Sequence, residues 1–271
     1  LSDLQQAIDN LEQKQPTEKP FILITDGRLD RATGIKATVK VKPVEGIATH
    51  EGKEVVLFQL MKDTTPVSIV AVGKDILTEE EVIAHFNVID PENSAYRVRT
   101  FVFDQFNSDI TAPRSLAEPV EYNNIEQKKM TAPHNEVPSP WLKNIKKGMN
   151  RKKANNSLSY RNNLTDNILP AYALAAGAVT LDDISDKKPG EEVTISGTTA
   201  LDEVTVKVLR PNNTVMYVNV LKGSPFEDKF TLPEDAIEGT YTVIVGEGSI
   251  IATKTFNVTK PSEIIRVTGV T

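Results

Sequence analysis

The sequence predicts an all-β chain: two small antiparallel β-sandwiches joined by a long basic segment, with a short helix in front. Three observations carry this. Between Lys188 and Thr259, short runs of Val, Ile, Thr, Tyr and Phe alternate with Pro, Gly, Asn and Asp, as strands alternate with turns. A second stretch of the same kind occupies Phe21–Val120. Between them the strand pattern stops and the charge changes sign.

Composition sets the outer limits. A chain of 271 residues has room for about two domains. Its net charge of −6 argues against nucleic acid as a partner of the whole chain. The absence of cysteine excludes a disulfide framework, a thiolate nucleophile and a Cys-ligated zinc site. That suits a reducing compartment, or a Gram-positive cell surface whose domains hold by packing alone. Leu1 is not an initiator methionine and no positively charged, apolar leader follows, so a processed or excised piece is expected. No apolar run is long enough for a membrane span.

Residues 1–16 are expected to form an amphipathic helix over Leu1–Gln15. Leu4, Ile8 and Leu11 share a face, Ser2 stands at the N-cap, and Pro16 stops it. It reads equally as the end of a preceding module or as a helix packed on the first sandwich.

The first sandwich spans 17–120. Strands are expected at Phe21–Thr25, ending in an Asp26-Gly27 turn, then at Ile35–Val41, Val55–Met61, Val67–Val72, Glu79–Val88 and Tyr96–Phe103, with a weaker edge strand covering Ser115–Tyr122. Ile35, Ala37, Val39 and Val41 alternate with Lys36, Thr38 and Lys40, so the first set faces in. Val55–Met61 is apolar on both parities, as a central strand is. Pro43, Pro66, Pro91 and Pro113 fall between runs, where a missing N–H costs the ladder nothing.

Residues 121–178 are read as a basic linker or insertion. Within 121–170 nine Lys and Arg face four carboxylates, a net +5, which leaves −11 on the rest of the chain. Fifty residues this polar do not make an ordinary loop inside a compact domain. Trp141–Lys153 has a weak helical face of Leu142, Ile145 and Met149. The small apolar run Ala171–Ala178 leads into the second sandwich.

That sandwich spans 179–259. Strands are expected near Val179–Ile184, Glu192–Thr198, Glu203–Leu209, Val215–Leu221, Phe226–Leu232, Thr240–Val245 and Ile250–Val258. Tight turns are expected at Asn212-Asn213 and Gly246-Glu247-Gly248. Residues 260–271 alternate again at Ile265 and Val267, like the start of a following strand or module.

The run GTYTVIVGEGSIIATKTFNV (Gly239–Val258) resembles the closing strands of Ig-like repeats in S-layer-type and other Gram-positive cell-surface proteins. YRVRTFVFD (Tyr96–Asp104), after EEEVIAHFNV, resembles the penultimate strands of fibronectin-III-like modules in similar proteins. The resemblance implies two Ig-like or fibronectin-III-like sandwiches in an extracellular, cell-surface setting. It implies no activity, because such modules serve as spacers, assembly units and accessory domains. Tyr96 and Tyr241 stand near the starts of penultimate strands, where a sandwich places a tyrosine bonded back to the preceding loop.

Sites of chemistry are few. His50, His85 and His134 lie far apart, and none has a second histidine three or four residues away to form a zinc pair. No nucleophile elbow or phosphate-binding glycine loop occurs. The chain is therefore expected to be non-catalytic and to need no cofactor. The acidic clusters Asp26–Asp30 and Asp182–Asp186 are candidates for calcium at a sandwich end, but neither has EF-hand spacing, and solvated turn carboxylates are the simpler reading. Glu79-Glu80-Glu81 reads as a solvated run. Trp141, Lys143, Lys146, Lys147, Arg151, Lys152 and Lys153 join an indole face to a cation cluster, the chemistry that holds an anionic polymer such as a cell-wall polysaccharide. A solvated linker is the favoured alternative for that stretch. Sequons at Asn155, Asn163, Asn212 and Asn257 matter only in a eukaryotic source.

The expected function is that of a structural or interaction unit of a secreted, S-layer-like surface protein, whose partners are neighbouring modules or copies of itself. Two alternatives remain. One is an accessory carbohydrate-binding region of a polysaccharide-degrading enzyme, which the low aromatic content of 6% disfavours. The other is a self-assembling fibre subunit that donates Lys260–Thr271 to a neighbour's open sheet edge.

Overall fold

The computed structural model describes residues 20–47, 50, 52–123 and 179–260, and the backbone of 127–129. The expected helices at Leu1–Gln15 and Trp141–Lys153 lie outside the described residues, as does the alternating tail from 261 onward. The described residues contain fifteen strands and no α-helix.

The first half contains β1 (Ile22–Asp30), β2 (Ile35–Pro43), β3 (Glu54–Lys62), β4 (Thr65–Lys74), β5 (Glu80–Phe86), β6 (Tyr96–Phe103), β7 (Val120–Tyr122) and β8 (Gln127–Lys129). They form an antiparallel sheet β1-β2-β5 facing an antiparallel sheet β4-β3-β6-β7-β8. The second half contains β9 (Val179–Leu181), β10 (Glu192–Thr199), β11 (Glu203–Leu209), β12 (Val215–Lys222), β13 (Phe226–Thr231), β14 (Gly239–Glu247) and β15 (Ile250–Val258). Its sheets run β13-β10-β9 and β12-β11-β14-β15. Leaving β8 aside, both halves follow one connectivity: first, second and fifth strands in one sheet, fourth, third, sixth and seventh in the other. This is an Ig-like, fibronectin-III-like arrangement.

Period-two burial builds each core. In β2, Ile35, Ala37, Val39 and Val41 are fully covered and meet Val82, Ala84 and Phe86 of β5 and Val98 and Val102 of β6. Thr38, expected outward, is covered too, flanked in register by Arg28 and Ile83. In the second sandwich Val193, Ile195, Val204, Val206, Val208, Val243 and Val245 close around two stacked ring pairs, Tyr217 on Phe230 at 4.5 Å and Tyr241 on Phe256 at 5.3 Å. Each fully buried aliphatic chain contributes about 1.5–3 kcal/mol.

Several local expectations are corrected. Asp26-Gly27 is not a turn: β1 runs through it with a register shift between Ile24 and Asp26. Gly27 is there because a Cβ would lie 2.9 Å from the Tyr122 ring, so the glycine makes room for an aromatic packed across the sheets. Pro66 sits inside β4, opposite Met61 at a register shift, on an edge strand where a proline does no harm. Ser115–Tyr122 shortens to β7, with Ser115 making a lone bridge to Phe103. Val179–Ile184 pairs only as far as Leu181; the Asp182 N–H still donates to the Ser196 carbonyl, and the chain then leaves the edge. The Asn212-Asn213 turn is present, with Asn213 at a φ of 61°.

Both tyrosines bond back as expected. The Tyr241 hydroxyl donates to the Ile237 carbonyl at 3.0 Å, closing a tyrosine corner. The Tyr96 hydroxyl donates to the Asp90 carboxylate at 2.8 Å, a side-chain version of the same contact.

Candidate functional site

The most built surface among the described residues is the junction between the two sandwiches. It begins with β3, whose sequence is apolar on both parities. Val56, Phe58 and Leu60 face the first core. Leu57, Gln59 and Met61 face the other way, toward the second sandwich. β6 divides likewise: Val98 and Val102 face in, while Arg99, Phe101 and Phe103 face the junction. Leu57, Phe101 and Phe103 meet Val218 and Val220 of β12 in a buried cluster, with the two phenyl rings stacked at 5.6 Å. Met61 reaches into the second core itself.

One contact sets the geometry. Gln59 is fully buried. Its Nε2 donates to the Val218 carbonyl at 3.0 Å, and its Oε1 accepts from the Val218 N–H at 2.8 Å. β12 is the terminal strand of its sheet, so among the described residues no strand pairs the outer peptide edge of Val218. The carboxamide of Gln59 supplies the donor and acceptor that a neighbouring strand would supply. The free edge of one sandwich is thereby docked on the outer face of the other sandwich's sheet.

A polar chain flanks this bond. Arg99 donates to Glu121 and to the Tyr217 hydroxyl, each at 3.1 Å. Tyr217 donates in turn to Asp228 at 3.1 Å, which also accepts from Asn219 and from the Lys229 N–H. Burial pushes the Asp228 carboxyl up, against these donors and the Arg99 charge. Burial, reinforced by the Asp228 charge, also pushes the Tyr217 phenol up. Arg99 loses water as well, yet Tyr217 and Glu121 hold its guanidinium above the ordinary range.

The third component is the long connection 104–119 between β6 and β7. Ala112 and Gly248 exchange both backbone hydrogen bonds, at 3.1 and 2.7 Å, so the loop pairs with the β14–β15 hairpin of the other sandwich. Arg114 makes an ion pair with Glu247 at 3.1 Å and lies over the Phe21 ring. Lys207, on the outward parity of β11, is 1% exposed and donates to the carbonyls of Asn107 at 3.2 Å and Asp109 at 2.7 Å. Desolvation pulls its ammonium down to about 8, only partly offset by the Asp109 charge. Thr64 and Thr231 bond by side chain and backbone, and Lys222 pairs with Glu118 at the rim. A cleft of about 340 Å³ opens beside the junction, between Thr65–Val67 and Arg210, Met216, Ile237 and Tyr241.

The sites expected from sequence fare differently. Trp141, Lys143, Lys146, Lys147, Arg151, Lys152 and Lys153 lie outside the described residues, as does His134. The acidic clusters are engaged internally. Asp30 caps the Ala32 N–H, Asp182 accepts from Ser196, Asp183 pairs with Lys254, and Asp186 accepts from the Asn257 backbone and side chain. Among the described residues no group of three or more His, Asp or Glu is placed to hold a metal ion. His50 lies 3.7 Å from Glu54, and His85 stands opposite Lys36, so the two described histidines share no site. No helix among the described residues is long and apolar enough to cross a membrane.

Sequence reasoning did not find the junction. The double-sided apolarity of β3 was its one signal, and a polar Gln in such a strand marks the docking point. The loop 104–119, polar and aperiodic, gives no sign of a partner.

No family model matches the chain, and no curated protein matches it. Solved structures do. A two-domain fibronectin type III segment of chicken tenascin aligns at 11% identity over 86% of this chain and 98% of its own, with a TM-score of 0.22. The BSP domain of a biofilm-associated protein aligns at 9% identity over 94% of this chain and 55% of its own, with a TM-score of 0.26. A Salmonella alpha-2-macroglobulin aligns at 12% identity over 90% of this chain and 19% of its own, with a TM-score of 0.29. At these identities and TM-scores the likeness assigns neither a family nor an activity.

Proposed function

We propose that this chain is a non-catalytic structural unit of a secreted bacterial surface protein of the S-layer type, in which two sandwiches are locked into one rigid spacer. The supporting observation is the capture of the Val218 peptide by the buried Gln59 carboxamide, with Lys207 and the 104–119 loop clamped beside it. Modules that swing freely on a linker have no use for a buried charge and two buried peptide groups at their junction, since each is costly unless bonded. A rigid pair holds whatever lies at its two ends at a fixed distance and angle.

Two assays test this reading. Antibody labelling of intact source cells should detect the protein, and insoluble wall polysaccharide should not retain it above a control protein. Labelling only after permeabilisation would overturn the surface assignment. Specific retention on a defined glycan would favour the accessory carbohydrate-binding alternative.

A further inference from the structure

We infer that the cleft beside the junction is the docking groove for the chain's own following segment, Glu263–Val267, which crosses the strand ends of the second sandwich and reaches β4 of the first. This goes beyond the spacer reading, and its failure would leave that reading intact.

The walls of the cleft are largely apolar. Met216 and Ala236 line it and are themselves covered. Val67 from the first sandwich and Ile237 from the second also line it, and they are 39% and 45% exposed. Aliphatic side chains left half in water around a cavity of about 340 Å³ suit a further apolar group. Arg210 and Asp235 are the charged groups among them. The Arg210 Nη1 donates to the Val215 carbonyl at 3.1 Å and to the Thr214 hydroxyl at 3.4 Å. Burial pulls this guanidinium below its ordinary range, and Tyr241 and Asp235 offset that only in part. Among the described residues Arg210 makes no ion pair with any carboxylate. The groove therefore fits an extended segment that carries a carboxylate and aliphatic side chains on one face.

The chain delivers such a face to the rim. After β15 the Thr259 N–H donates to the Lys187 carbonyl at 3.0 Å, and the Lys260 N–H donates to the Glu238 carboxylate at 2.6 Å. Glu238 adjoins Ile237, so the chain passes Lys260 beside one wall of the cleft. The residues that follow read PSEIIRV, and Glu263, Ile265 and Val267 share a face of an extended chain. From Lys260, Ile265 can reach about 17 Å and Val267 about 24 Å.

Strand order sets the register. The sheet runs β12-β11-β14-β15, and β4 lies against β12 and β13. A segment crossing away from β15 meets Arg210 just after β11, then Met216 in β12, then Val67 in β4. Cation, aliphatic, aliphatic is the sequence that Glu263, Ile265 and Val267 match one for one. A segment tethered this closely is presented at about millimolar effective concentration, so the chain's own copy outcompetes one from a neighbour in dilute solution.

Methyl NMR on the full chain tests the assignment. Cross-relaxation should connect the Ile265 and Val267 methyls to those of Met216 and Val67, and dilution should not weaken it. Ile265→Asp/Val267→Asp should abolish these contacts and shift the Val67, Met216 and Ile237 methyl resonances. Val98 and Val102 in the first core should stay in place, showing that the variant is folded. Absence of the contacts in the wild-type chain would overturn the proposal. So would Val67, Met216 and Ile237 resonances that the double variant leaves unmoved. Contacts found only between chains, in a sample mixing two labelling patterns, would overturn it too, because the occupant would then be a second copy.

Discussion

Replacing Gln59 with leucine tests the junction most sharply, because the two side chains have similar volume and the change is nearly pure hydrogen-bond chemistry. In the wild type the carboxamide satisfies the N–H and C=O of Val218 at 2.8 and 3.0 Å in a site with no solvent exposure. Leucine removes both partners and leaves both peptide groups buried. Each orphaned group costs about 1–3 kcal/mol, and the added apolar burial returns about 1–2 kcal/mol, so the central expectation is a net loss of about 2–3 kcal/mol. For a folded unit of this size that lowers the melting midpoint by roughly 5–10 °C. Calorimetry should show more than a downshift. Because Gln59 joins two cores, the single transition expected of the wild type should broaden or split as the sandwiches begin to melt separately. A Gln59→Leu protein that melts as one transition within about 0.5 kcal/mol of wild type would refute the reasoning, since it would mean that the Val218 edge is solvated or paired elsewhere.

Other predictions follow from the same structure. The Lys207 ammonium is held near 8 when folded and returns to about 10.5 when unfolded, so the unfolded chain binds more protons between those values. Stability should therefore rise with pH from about 8 to about 10.5, by up to roughly 3 kcal/mol, and urea titrations of Lys207→Met should lack that rise. Asp90 is held down to about 2 by bonds from Asn93, Tyr96 and Lys62. Tyr96→Phe should move its carboxyl back toward the ordinary range, read by NMR titration. Tyr241→Phe removes the bond to Ile237 and should cost about 1 kcal/mol in chemical denaturation. Gly197→Ala would put a Cβ 2.0 Å from the Thr180 carbonyl oxygen, and should free β9 from β10, seen as faster amide exchange at Thr180 and Thr198.

The strands were legible because period-two burial is a local signal. Ile35, Ala37, Val39 and Val41 name their own face, and Glu203–Leu209 and Ile250–Val258 begin and end where their turn residues place them. Gly27 misled because a glycine that clears an aromatic ring looks the same in sequence as one that turns the chain. The junction was hidden for a related reason. Phe101 and Phe103 stand on the parity opposite Val98 and Val102, and only coordinates show that this second face meets Val218 and Val220. Lys207 and Asn107–Asp109 are ordinary surface chemistry until the loop and β11 are placed together.

The central claim is that the two sandwiches form one rigid body, and an inter-module distance distribution measures this directly. The chain has no cysteine of its own, so nitroxides at Glu79→Cys and Glu227→Cys, both exposed, report on the two modules without interference. Pulsed electron–electron double resonance should give one narrow distance peak, which broadens when Gln59→Leu is added. A broad distribution in the otherwise wild-type chain would contradict the account, since it would show two sandwiches moving independently.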